Sequence, residues 1–184
     1  ACIHASWNLL AKRAGGGAAF VWAAAVAGTL IWLPITIARG EFQQVQWTPI
    51  VLVFLLGSGV LQTLYFVTLQ RGYKVGDLSV VYPLARGAAP LFLLIWSTLF
   101  LGEHPTAGGI GGIFIIALGL YLINLPRLAA WREPLQALRQ AGPRLALLAG
   151  LCISLYTAID KQGIQLLSPL LYTYLALWLT VLLM

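Results

Sequence analysis

Charge is what this 184-residue chain has least of: 9% of its residues are charged, and only five are acidic. A soluble domain carries about 25%. With 60% hydrophobic residues gathered in long runs, the deficit excludes a water-soluble globular protein and indicates a polytopic membrane protein. Cysteine is nearly absent. Cys2 and Cys152 lie in apolar segments without CxxC or histidine-rich spacing, which argues against a disulfide framework or a metal site. Neither GxxxxGK[ST] nor HExxH occurs, and intramembrane aspartates do not pair, so no catalytic, metal or cofactor motif is in view. The net charge of +6 comes from basic residues scattered singly or in pairs, a pattern unlike a nucleic-acid surface.

What is present is a series of apolar windows long enough to cross a bilayer. A partial span covers residues 1–11, and full spans are predicted over 18–38, 47–70, 78–101, 106–124 and 144–164, with a shorter run over 169–184. No cleavable signal peptide is visible, and the half-spans at both ends suggest a fragment of a longer protein. Short connections marked by Gly, Pro or charge, including Arg39-Gly40-Glu41, Arg71-Gly72-Tyr73-Lys74 and Gly102-Glu103-His104-Pro105, predict helical hairpins. Seven Trp and seven Tyr fit the aromatic belts of a bilayer. The fold class is therefore all-α, a transmembrane helical bundle of about six to seven helices.

Residues 125–143 differ. Leu128, Trp131, Leu135 and Leu138 recur at helical spacing, with Arg127, Arg132, Glu133 and Arg139 between them. This fits a helix lying in the membrane interface. An irregular linker fits as well, because Pro126, Pro134 and Pro143 interrupt the pattern.

Lys12, Arg13, Arg71, Lys74, Arg127, Arg132, Arg139 and Arg144 fall on one side of the alternating hairpins, against Arg39 and Lys161 on the other. The positive side is expected in the cytoplasm, which places the N-terminal end outside. An offset of 149 positions lays Trp7-Asn8 over Tyr156-Thr157, Ala5 over Ser154 and Lys12 over Lys161. The two segments are five spans apart. An odd number inverts the second copy, as in transporters built from inverted repeats.

Within the span over 78–101, Arg86 stands between Pro83 and Pro90. An unpaired guanidinium near the bilayer centre costs roughly 3 kcal/mol or more. Each proline removes a backbone donor, which frees carbonyls near Ser79 and Arg86 for other partners. Two readings stand. Arg86 binds a carboxylate or phosphate of a solute through its planar donors, or it is a structural arginine satisfied by carbonyls. Asp77, nine positions away and about 13 Å along a helix, is too distant for a direct pair.

His4 shares a helical face with Trp7 and Asn8. It is a candidate for proton coupling, against a packing histidine. Trp7 and Asn8, with Tyr156 and Thr157 related to them by the repeat, are candidates to line a path, against aromatic-belt positions. Tyr82, Gln62 and Tyr65 are polar groups within spans, candidate cavity residues or ordinary interhelical hydrogen-bond partners. Asp160 and Lys161, near a span's end, are expected in the headgroup region, and Glu103 at a turn or cap. Gly108 and Gly112 form GxxxG, a pattern that lets helix backbones approach closely.

Gly76-Asp77-Leu78-Ser79, Tyr82-Pro83-Leu84-Ala85-Arg86-Gly87, Pro90 and Leu101-Gly102-Glu103 together resemble the EamA-type branch of the drug/metabolite transporter superfamily. The glycine-rich span over 108–119 and His4-Ala5-Ser6-Trp7-Asn8-Leu9-Leu10-Ala11-Lys12 extend the resemblance over essentially the whole chain. It implies ten helices in two inverted five-helix halves, with a first repeat over 1–124, a linker over 125–143 and the start of a second repeat over 144–184. It further implies a multi-pass protein of the cell membrane, such as a bacterial inner membrane, acting as a monomer or weak homodimer.

The activity implied is secondary transport, mostly export, of small organic metabolites such as amino acids or other anionic or amphiphilic solutes, driven by a proton gradient. Family descriptions place both termini in the cytoplasm, against the charge count. Two other classes are weighed: a membrane enzyme acting on a lipid-linked phosphate with Arg86 as its clamp, and a scaffold that transports nothing. The enzyme would need an acid, base or metal cluster at cavity depth, which the motifs do not supply.

Overall fold

A computed structural model describes residues 17–123 and 138–184. Among these residues the architecture is all helical: α1 (Gly17–Ala38), a short 3-10 turn (Glu41–Gln44), α2 (Pro49–Val75), α3 (Leu78–Phe100), α4 (Ala107–Ile123), α5 (Ala141–Gly163) and α6 (Pro169–Leu183). Within α1, residues 19–38 form a candidate span, and with α2, α3 and α5 this makes four helices long and apolar enough to cross a bilayer. The 17 residues of α4 reach about 25 Å, short of the roughly 30 Å hydrocarbon thickness. Four such helices, with the shorter apolar helices α4 and α6, make the chain a multi-pass membrane protein.

The helix ends follow local chemistry. Asp77 caps α3 by accepting the Ser79 N–H at 3.2 Å, and Ser168 caps α6 through the Leu171 N–H, with Pro169 in the first helical position. Gly40 and Gly102 terminate helices with φ of 65° and 61°, a conformation glycine adopts without a side-chain clash. Two boundaries differ from expectation. The segment Arg71-Gly72-Tyr73-Lys74 does not break the chain but continues α2 to Val75. Gly72 and Tyr73 are buried while Arg71 and Lys74 point outward, where cations suit a helix C-terminus. α5 begins at Ala141, three residues before the expected start of the span, and Pro143 sits in the first turn, where its missing N–H costs little. The rest of the expected interfacial helix lies outside the described residues.

The chain divides into two compact units, one of residues 1–66 with 159–184 and one of residues 67–158. The first has a core of Val51, Leu55, Leu167, Tyr172 and Ala176, with Phe54, Leu175 and Leu179 packed against it. The Trp22 indole N–H donates to the Val181 carbonyl at 2.9 Å, tying α1 to α6.

The second unit packs through small residues. Val81, Ala85, Ala88, Ala146 and Ala149 are buried. A Cβ on Gly150 would lie 2.8 Å from the Ala85 carbonyl oxygen, and one on Gly142 would lie 2.9 Å from the Gly76 Cα. Backbones that close require glycine. α3 continues through both Pro83 and Pro90. The GxxxG expectation is not met among the described residues, since a Cβ on Gly108 or Gly112 would meet nothing within 4 Å. Close approach is instead made at Gly76, Gly142 and Gly150, because those glycines face helices and the α4 glycines face outward.

Candidate functional site

A polar cluster lies in the first unit, within otherwise apolar helices. Asp160, near the end of α5, receives the Ser58 hydroxyl from α2 at 2.5 Å and the Tyr172 phenol from α6 at 3.0 Å. Both bonds converge on Oδ1. Ser58 in turn accepts a hydrogen bond from the Gln62 amide, one helical turn further along α2, at 2.9 Å. Ser58 and Tyr172 are buried and Asp160 is half-buried.

The backbone explains how Tyr172 reaches this position. Gly163 closes α5 one turn after Asp160, and a Cβ there would collide with the Tyr172 ring. Only glycine leaves room for the phenol to pass over the helix end. The Tyr172 hydroxyl also lies 3.3 Å from the Phe54 carbonyl, a second acceptor on α2.

Asp160, expected in the headgroup region from its place near the span's end, is half-buried and hydrogen-bonded to two neighbouring helices. Lys161, beside it, is exposed and fits that environment. The difference is geometric: adjacent residues on a helix point about 100° apart, so one turns inward and the other outward. Sequence reasoning missed Asp160, Ser58 and Tyr172 as a group. A usable signal existed in the aspartate itself, which interrupts an apolar run, and in Ser58 and Gln62, spaced i,i+4 on an apolar helix.

Of the residues singled out earlier, Gln62 joins this cluster through Ser58. Tyr65 is buried on α2 with its ring 4.8 Å from that of Phe66. Tyr82 is half-buried and Arg86 exposed, four residues apart on α3 and hence on one face of it. Tyr156 and Thr157 are half-buried on α5, and the Thr157 hydroxyl donates to the Ile153 carbonyl of its own helix at 2.7 Å. His4, Trp7 and Asn8 lie outside the described residues.

Two further features belong to the first unit. An apolar groove of about 330 Å³ is lined by Trp47, Leu52, Leu55, Leu175, Trp178 and Leu182. It suits hydrocarbon and offers almost nothing polar. At the water-facing end, Glu41 pairs with Arg39 at 3.1 Å and accepts the Ser168 hydroxyl. The Ser168 bond first, then Arg39, holds the Glu41 carboxyl below the usual glutamate range.

A model of the EamA-like transporter family matches residues 1–125. An uncharacterized transporter of Archaeoglobus fulgidus is 30% identical over 150 residues, an alignment covering 81% of this chain and 49% of the relative. The chain thus spans about half the length of that protein. No solved structure matches significantly.

Proposed function

The chain belongs to the EamA-like transporter family, and from that premise we propose that the protein exports small organic metabolites, such as amino acids or other anionic or amphiphilic solutes, by alternating access. It acts in a cell membrane such as a bacterial inner membrane, with a proton gradient as its energy source. The observation that carries the solute class is Arg86. It sits eight residues into α3, about 12 Å along the helix, with an exposed side chain. A guanidinium at that depth is not stable against lipid tails. Arg86 has a partner within the protein, and its remaining planar donors would suit the carboxylate of a solute in an aqueous path.

Tyr82, one turn before Arg86 on the same face, is placed to add a hydroxyl to that site. Gln62, Tyr65, Tyr156 and Thr157, with Trp7 and Asn8, are the remaining candidates to line the path, and His4 is the coupling candidate read from the sequence. Two halves rocking about a midplane site would expose it to one side at a time.

The test uses the full-length protein in liposomes, with counterflow of labelled amino acids, organic acids and amphiphilic cations. Arg86→Gln is expected to abolish counterflow of the anionic solutes with membrane insertion intact. Normal rates in that variant would sink the anchoring role.

A further inference from the structure

Resting on the transporter reading, we infer that Asp160 is a proton-exchanging site inside the membrane, built where α2, α5 and α6 of the first unit meet. The starting point is cost. Burying the charge of a carboxylate is costly, and here the half-buried Asp160 receives two hydroxyl donors, Ser58 and Tyr172, on one carboxylate oxygen. If the cluster served only to clamp three helices, an asparagine oxygen would accept both bonds without a charge to bury.

Among the described residues, the groups that hydrogen-bond Asp160 are hydroxyls and not cations. From α2 come Ser58 and, through it, Gln62, neither of which titrates. From α6 comes the Tyr172 phenol. On its own helix the adjacent cation is Lys161, whose side chain is exposed. Apolar surroundings oppose the charge, and the two hydroxyls support it. The balance between them depends on helix positions.

Proton binding changes that balance in a defined way. A proton taken from water on one side forms the carboxyl O–H bond, and its return to water on the other side restores the carboxylate. No electron moves. The neutral carboxyl is a weaker acceptor than the carboxylate, so protonation loosens the Ser58 and Tyr172 bonds that tie α2 and α6 to α5. The same event thereby stores a proton and releases three helices to move.

The experiment follows the carboxyl carbonyl band by infrared difference spectroscopy as pH is varied, using the purified full-length protein in liposomes. A titrating band is expected, lost in Asp160→Asn and displaced in its midpoint in both Tyr172→Phe and Ser58→Ala, which keep most of the packing volume. Identical titrations in wild type and Asp160→Asn overturn the site. If Asp160→Asn does not fold, an unmoved midpoint in the other two variants overturns it instead.

A second measurement records proton movement in dye-loaded liposomes on adding the same solute panel. Movement unchanged in Asp160→Asn but lost in His4→Asn overturns Asp160 and leaves the transporter reading standing. An Asp160-dependent band with no solute-evoked proton movement in wild type supports the site and removes the coupled-transport reading.

Discussion

The two units of the molecule are held together by different means. In residues 67–158 the helices meet through glycine and alanine, and the tightest contact is backbone against backbone, as where Gly142 meets Gly76. In residues 1–66 with 159–184 the contacts are made by large rings and by hydrogen bonds from Ser58 and Tyr172 to Asp160. Lipid is as apolar as leucine, so burial of hydrocarbon drives neither assembly. One unit relies on close van der Waals contact, the other on polar groups that find few partners elsewhere. The first kind should be sensitive to volume, and the second to chemistry at constant volume.

The strongest way to break this contrast is to add volume inside the polar unit. Gly163→Leu forces the Tyr172 ring away from Asp160 and is expected to cost about 3 kcal/mol or more, measured by unfolding in mixed detergent micelles. A cost near zero would mean that the phenol is free to relocate. Next comes Gly150→Val in the small-residue unit, with an expected loss of about 2 kcal/mol against the Ala85 carbonyl. Substitution of Ser154 by Ala, which removes the Trp96 indole's acceptor at 3.1 Å, should cost only about 0.6 kcal/mol there.

An effect of similar size sharpens the comparison at the water-facing edge of the polar unit. Ser168→Ala removes a helix cap, at about 1 kcal/mol, and with it the hydroxyl that supports the Glu41 charge. Because the Glu41 carboxyl is held below its ordinary range, its contribution is complete above the ordinary glutamate range and fades as pH falls through the lowered value. Melting temperatures compared between neutral and acid pH should therefore fall less steeply in Glu41→Gln than in wild type, and parallel curves would refute the contribution. No loss is expected at the last pair: Gly108→Ala and Gly112→Ala meet open space and should leave stability unchanged or raise it by up to about 1 kcal/mol through helix propensity. A marked loss would show that those glycines pack against residues not yet described.

The fold was mostly legible before any coordinates, because hydropathy and helix-breaking residues are local properties. Five of the expected spans coincide with helices to within about three residues at most of their ends. α2 is the exception at its C-terminal end, where Arg71 and Lys74 read as a connection although a helix emerging from a bilayer carries such residues without stopping. The site was less legible. Gln62 was visible as a polar group on an apolar helix, but its neighbour Ser58 is an ordinary small residue in sequence, and Tyr172 lies twelve positions beyond Asp160 across a turn. What unites them is three-helix convergence and the space over Gly163, which no pattern along one helix encodes. GxxxG failed for the converse reason: the motif states that backbones can approach, not which face of α4 has a neighbour.

The connection between α2 and α3 is only Gly76 and Asp77, and this bears on how the protein is made. Two spans so tightly joined cannot partition into the bilayer as separate segments during synthesis. The cost of carrying Arg86 inward on α3 is thus shared with α2, whose residues 49–70 contain no charged side chain. A short turn lets an arginine ride into the membrane on the hydrophobicity of its neighbour.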